Sequence, residues 1–401
     1  MADSATRRFA GLSRNTYLLA AASLFADIST EMLYPVLPVF LTQTLKASGS
    51  IVGLVDGFAQ AAQNIVQGFS GALSDKIQKR KPVALFGYLL AAIAKPLMGF
   101  STVWPELFGA RLLDRLGAGT RSAPRDALIA ASADEKSRGR AFGLEGVGDN
   151  AGAFIGPLLA VLLLYAFHVD LRTIFYIAVL PGLLAFLMVA LVRERPGSFA
   201  AKSRIDAGFR QFPRRYWLYL LATAIFGIGN SSNAFLILET RDIGASLEAT
   251  ILIYAAFNLV AALISYPAGS LSDRWGRRNV LLASFAIFFI AYAGFAVFRN
   301  EYLIAMLFIF YGLYQGIFRS AGKAFASDFV PEALRASGIG WYSTTIGMLQ
   351  LVSSVVAGLL WDHVGHEAVF YLGAASAVAG SVALVLLVPS GVRDQDGKIK
   401  T

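Results

Sequence analysis

Twelve runs of mostly apolar residues follow one another along the chain, separated by short polar breaks. They fall at roughly residues 15–42, 50–74, 83–100, 107–131, 141–166, 173–192, 216–238, 249–271, 280–298, 302–327, 336–361 and 368–388. A helix crossing a hydrocarbon core of ~30 Å needs about 20 such residues, so each run reads as one membrane span. The composition excludes the soluble alternative. Of 401 residues 56% are hydrophobic and 15% charged, whereas an average soluble domain is about 25% charged and a fold of this length could not hide so much apolar surface. Disorder, collagen and nucleic-acid binding by a basic domain fall on the same figures, and the net charge of +9 is then loop charge facing water or headgroups. Arg7, Arg8 and Arg14 before the first run resemble a signal peptide, but the apolar stretch continues past Asp27 to Leu41, too long for one, so it is read as an uncleaved first helix.

Lysine and arginine in the short loops set the orientation. With the amino terminus inside, cytoplasmic segments hold 24 of the 35 basic residues and external loops hold four, Lys46, Arg172, Arg241 and Arg299. Both termini are therefore expected in the cytoplasm of a bacterial-type inner membrane. The basic stretch 193–215 is the longest loop; it divides the chain into an amino-terminal six-helix bundle, 1–192, and a carboxy-terminal one, 216–401.

The halves repeat each other at a shift of about 198 residues. "GALSDKIQKRK" from Gly71 recurs as "GSLSDRWGRRN" from Gly269, "RSAPRDA" from Arg121 as "RSAGKAF" from Arg319, and "EKSRGRAFG" from Glu135 as "EALRASGIG" from Glu332. Ordered matches at nearly one offset mark a duplicated unit. Two such halves with a site between them near the midplane are the plan of an alternating-access carrier.

These residues carry a family resemblance. The pattern G-x-L-[SA]-D-[RK]-x-G-[RK]-[RK] after the second span is met by Gly71, Leu73, Ser74, Asp75, Lys76, Lys79 and Arg80, with Gln78 in place of glycine. It is complete at Gly269, Leu271, Ser272, Asp273, Arg274, Gly276, Arg277 and Arg278. The chain thus resembles the major facilitator superfamily over essentially its whole length. The resemblance implies an all-α membrane protein of 12 transmembrane helices in two pseudo-symmetric six-helix bundles, with the loop motifs as gates. In the fifth span Gly143, Gly152, Gly156 and Pro157 resemble the helix 5 motif of the drug/proton antiporter branch, although Ala160 and Val161 stand at its final glycines. Ordinary packing of small residues between helices is the alternative.

Seven acids lie within spans, all in the first half: Asp27, Glu31, Asp56, Asp114, Asp126, Glu145 and Asp149. Such groups are costly in a membrane and are functional candidates by default. Asp27 and Glu31, four apart on one helix face, are the first choice for a proton site, because a carboxylate in a low-dielectric cavity can load and release a proton as access alternates. In proton-coupled exporters of the superfamily, helix 1 acids often work beside a helix 4 arginine. Arg111 in "ARLLDRLGAG" resembles it, and Arg115 stands where a glycine would follow, so either arginine fits the role. A purely structural ion-pair cluster is the alternative.

The substrate cavity is expected along Tyr34 on the first helix and along Asp56, Gln60, Gln63, Asn64 and Gln67, which share one face of the second. From the second half it would draw Asn230, Ser231, Asn233, Tyr254, Asn258 and Gln315. Glu145 and Asp149 share the helix 5 glycine face, and if that face meets the other half they line the inner mouth as gate pairs or secondary proton carriers. Arg121 and Arg125, with Arg319 and Lys323 as repeat partners, are read as cytoplasmic latches to Asp75, Asp273 and Asp126, or else as ligands for an anionic substrate. Lys95 has no obvious partner and is read as snorkelling.

No cysteine is present, which excludes disulfides and thiolate metal sites, and His168, His363 and His366 are too scattered to suggest a metal centre. No phosphate loop or catalytic nucleophile set is found. The expectation is therefore a carrier without metal or cofactor, not an enzyme, acting as a monomer in the lipid bilayer on protons and a small-molecule substrate, with no nucleic acid. Proton-coupled export of a small organic compound or drug leads. Transport of an anionic metabolite through the helix 4 and helix 10 bases, and a non-transporting membrane receptor, are the alternatives.

Overall fold

The computed structural model describes residues 8–9, 12–77, 79–133, 138–194, 212–330, 335–388, 392–393 and 399–400. They form helices apart from two pairings of two-residue strands, Arg8–Phe9 with Leu12–Ser13 and Val392–Arg393 with Ile399–Lys400. In chain order the helices are α1 (Arg14–Glu31, resuming at Leu37–Val39 and as a π-helix at Phe40–Thr44), α2 (Gly49–Ile77), α3 (Arg80–Phe100), α4 (Trp104–Ala131), α5 (Arg138–Tyr165) and α6 (Leu171–Ile177 with Val179–Ala190). The second set is α7 (Arg214–Gly227 with Ala234–Asp242), α8 (Leu247–Trp275), α9 (Arg277–Val297), α10 (Glu301–Asp328), α11 (Arg335–His363) and α12 (His366–Leu387). The fold is the all-α, twelve-span membrane architecture expected from the sequence.

Eight of the twelve, α3, α5, α6 and α8–α12, are long and apolar enough to cross a membrane on length and composition alone. The other four have identifiable reasons for falling short. α2 and α4 carry charges or amides along one face, and α1 and α7 are interrupted, after Glu31 and after Gly227. Those two breaks stand at nearly the offset of the sequence repeat. Interrupted helices and intramembrane charges are features of substrate and ion sites in carriers, so chemistry is to be sought on these four.

The chain divides into two compact units, residues 1–47 with 58–204 and residues 48–57 with 205–401. In the first, α1 packs on α5 and α6, and α3 on α4 and α6. Leu19, Ala22, Ala26, Ala84, Tyr88, Leu128, Ile129, Ala185 and Val189 form its core at one end. Ser13 caps α1 by accepting from the Thr16 N–H. The Glu194 carboxylate accepts from the Arg80 and Lys81 N–H groups, tying the start of α3 to the segment after α6, as suits an acid at a helix amino terminus.

In the second unit α8 packs on α10, α9 on α10 and α12, and α12 on α7. Its core is aromatic: Phe226, Phe285, Phe288, Tyr292, Tyr311, Tyr314 and Phe318 form a chain of ring contacts. The turn from α8 to α9 rests on Gly276 at φ 84°, a left-handed conformation that glycine adopts without a Cβ penalty. At the unit's opposite end the Asp362 carboxylate accepts from the N–H groups of Gly49 and Ser50, each at 2.8 Å, capping the first turn of α2.

Candidate functional site

α1 reaches the site through its contact with α5. A Cβ on Gly152 would come within 2.7 Å of Asp27 Cβ and of the Leu24 carbonyl, and one on Gly156 within 3.0 Å of Glu31 Cβ. The α5 backbone therefore lies directly on the turn of α1 that carries both acids, as small residues permit between membrane helices. The glycine face thus meets α1 inside its own unit, whereas the sequence reading made the mouth position of Glu145 and Asp149 conditional on that face meeting the other half. Gly148 extends the same ladder, against the Ala20 carbonyl, whereas Gly143 has open space around it. α5 runs on through Pro157.

Asp27 faces Arg121, with Nη2 to Oδ1 at 3.9 Å, beyond hydrogen-bond length. The arginine that faces Asp27 is thus Arg121, which the sequence reading placed among the cytoplasmic latches or the ligands of an anionic substrate. Arg121 is 8% exposed. Its guanidinium stands over the Tyr88 ring at 4.6 Å, and its Nε and Nη1 have no hydrogen-bond partner among the described residues.

Arg125, one helical turn on, sits in an acid clasp. Nη2 lies 2.7 Å from Glu145 and 2.9 Å from Asp126, while Nη1 lies 3.7 Å from Asp149 and donates to Ser23 Oγ at 2.8 Å. Ser23 donates in turn to Glu145 at 3.3 Å. Arg125 and Asp126 are neighbours on α4, so their pair stays within that helix and joins no two elements; the surroundings of Gly71 and the side chains of Asp75 and Asp273 lie outside the described residues.

Arg111 and Arg115 converge elsewhere. Asp114, 1% exposed, accepts from Lys95 Nζ at 2.8 Å, Arg111 Nη1 at 3.2 Å and Arg115 Nη2 at 2.6 Å. Lys95 is 2% exposed, so it is a buried ion-pair partner and not a snorkelling side chain. Arg115 Nη1 also donates to Gln63 Oε1 at 3.1 Å, and the Arg111 guanidinium stands 5.8 Å from the centre of the Tyr34 ring. Three buried bases thus share the Asp114 carboxylate.

The polar face of α2 divides between the units. Gln60, Gln63, Asn64 and Gln67 are half-buried in the first, while Asp56 belongs to the second and accepts from Ser232 Oγ at 2.5 Å. The break in α7 presents Asn230, Ser231 and Asn233; Tyr311 donates to Asn233 Oδ1 at 2.8 Å, and Ser231 is buried. Tyr254 is buried against Phe257, and Asn258 and Gln315 are half-buried.

The repeat partners of the arginines behave differently. Arg319 and Lys323 are exposed, so Arg319, the repeat partner of Arg121, is not buried as Arg121 is. Arg277 pairs with Asp328, joining the start of α9 to the end of α10, a contact the sequence did not suggest. Arg80 holds α3 through its backbone bond to Glu194 and reaches the Ala127 carbonyl at 3.4 Å. Gly269 has no atom within reach of a Cβ. Ser23 and Tyr88 were missed because nothing in the chain marks them; Gly148 was available as a third glycine spaced four before Gly152.

A sequence model of the Major Facilitator Superfamily matches residues 19–236 and 219–400. The uncharacterized MFS-type transporter MJ1317 of Methanocaldococcus jannaschii is 34% identical over 382 residues, spanning 94% of this chain and 95% of the relative. The quinolone resistance protein NorA of Staphylococcus aureus is 22% identical over 389 residues, spanning 94% and 97% respectively. The crystal structure of the nucleoside transporter NupG aligns with a TM-score of 0.76 at 18% identity, over 93% of this chain and 99% of that one, a likeness of fold.

Proposed function

Since the chain belongs to the Major Facilitator Superfamily, and is a membrane transporter rather than an enzyme, we propose that it exports a small organic compound by alternating access in exchange for protons. The observation that carries this reading is Asp27, pressed between α5 and Arg121 and held 3.9 Å from the guanidinium. Asp27, Asp126, Glu145 and Asp149 are four carboxyls gathered about two arginines. There the carboxyls outnumber the guanidiniums by two, an imbalance of charge that a bound proton lessens. Protonation of Asp27 removes its attraction for Arg121, and deprotonation restores it, which is the change in charge an exchange cycle requires. NorA, named for quinolone resistance, is a relative consistent with a drug-like cargo.

In this reading the chain works as a monomer in a bacterial-type plasma membrane with both termini in the cytoplasm. Residues 1–192 and 216–401 act as two bundles joined by the linker 193–215. The loop charge asymmetry supports the orientation.

The reading is tested in proteoliposomes with an imposed pH gradient and a cationic dye as cargo. Gradient-driven accumulation that an uncoupler collapses, and that Asp27→Asn abolishes, supports it; accumulation unchanged in Asp27→Asn refutes it. A second reading, transport of an anion, is favoured by one observation, the unbonded Nε and Nη1 of buried Arg121. It requires anionic solutes alone to be moved, with the activity lost in Arg121→Ala.

A further inference from the structure

At the α7–α8 end of the second unit, Glu239 and Asp242 from the last turn of α7 meet His366 from the first turn of α12. One ligand atom from each lies within 4.8 Å of the others. His366 Nδ1 is 3.0 Å from Asp242 Oδ2 and 3.6 Å from Glu239 Oε2. An ion held tetrahedrally by nitrogen and oxygen at 2.0–2.2 Å places its ligand atoms about 3.4 Å apart, so these separations need only small adjustment.

Two independent features point to a cation site here. Glu239 is 1% exposed, and its Oε2, turned toward His366, has no hydrogen-bond partner among the described residues; a buried carboxylate oxygen left so is costly. The local charge is also unbalanced. Arg299 bonds Glu239 at 2.8 Å and Asp242 at 3.3 Å and also pairs with Glu367, so one guanidinium serves three carboxylates. A divalent ion adds positive charge where one guanidinium faces three carboxylates.

We propose that Glu239, Asp242 and His366 form a binding site for a divalent transition cation of the Zn2+ class. The imidazole nitrogen selects against Mg2+ and Ca2+, which take oxygen ligands. The site has a built-in reporter, because the His366 ring stacks on Trp361 at 4.0 Å and 12°. Trp361 also packs on the start of α2, where a Cβ on Gly49 would lie 2.7 Å from its Cδ1, so an ion here would brace the α7–α12 junction against that turn. The site is independent of what the protein transports.

The test is calorimetric titration of Zn2+ into the tag-free full-length protein in detergent, followed in parallel by tryptophan fluorescence. Expected are one saturable site per chain, undisplaced by excess Mg2+, and affinity weakened at least tenfold by His366→Ala and by Glu239→Gln. His363→Ala should leave it unchanged, and Trp361→Phe should remove the fluorescence response while binding persists. Absence of saturable binding, or affinity unaltered in His366→Ala, overturns the proposal. The partly exposed His366 side chain makes that variant decisive even where Glu239→Gln fails to fold.

Discussion

Arg121 approaches Asp27 to 3.9 Å while its Nε and Nη1 stay without hydrogen bonds in the protein interior. A buried arginine so little satisfied is costly, and it persists because Tyr88 and the helix packing hold it there. Arg121→Ala should therefore cut proton-driven transport at least tenfold while leaving the protein folded, whereas Arg121→Lys, which keeps the charge, should recover part of it. The measurement is initial rates in proteoliposomes at matched protein amounts; equal rates in wild type and Arg121→Ala would show that the pair is not functional.

The α1–α5 contact gives a stability prediction with an internal control. A methyl on Gly152 must displace Asp27 Cβ or the Leu24 carbonyl, each 2.7 Å away, and overpacking of this kind costs typically ~1–3 kcal/mol. Gly143, with nothing within 4 Å, should accept alanine without loss. Thermal unfolding in detergent should show Gly152→Ala lowered and Gly143→Ala unchanged.

Asp114 holds three cations at distances of 2.6–3.2 Å. Asp114→Asn takes from Lys95, Arg111 and Arg115 the carboxylate charge they share, a change of the class that costs about 3–5 kcal/mol. Lys95→Met removes one of the three cations that share Asp114 and should partly rescue Asp114→Asn. Unfolding midpoints of the two single variants and the double variant check this; a double variant no better than Asp114→Asn contradicts it.

In the second unit, Ser232 donates to Asp56 at 2.5 Å with both residues buried. Hydrogen bonds to charged groups contribute about 1.5–3 kcal/mol. A double-mutant cycle with Asp56→Asn and Ser232→Ala should return a coupling energy of that order, and a coupling near zero would remove the contact from the account.

How much of this was readable in the chain follows from what a one-dimensional pattern contains. Spans, charge asymmetry and the duplicated loop motif are properties of segments, and the twelve helices follow from them. Which arginine meets α1 depends on helix rotation and packing. At 100° per residue, Arg121 lies about 80° round α4 from Arg111 and Arg115 about 40° on the other side. Only the packed structure says that the Arg121 face meets Asp27. Lys95 looked unpartnered because Asp114 lies on the next helix. The Gly276 turn was visible as a motif position, and its φ of 84° explains why glycine stands there. The set of Glu239, Asp242 and His366 escaped because histidines alone were counted, and α7 and α12 are far apart in the chain.

The most direct test of the central claim is proton release from everted membrane vesicles carrying the protein, with a preset pH gradient and cationic, neutral and anionic solutes added in turn. Proton release on adding a cationic or neutral solute, present in the wild type and absent in Asp27→Asn, is the expected result. Release of the same size in Asp27→Asn, or a response to anions alone that is lost in Arg121→Ala, would contradict it.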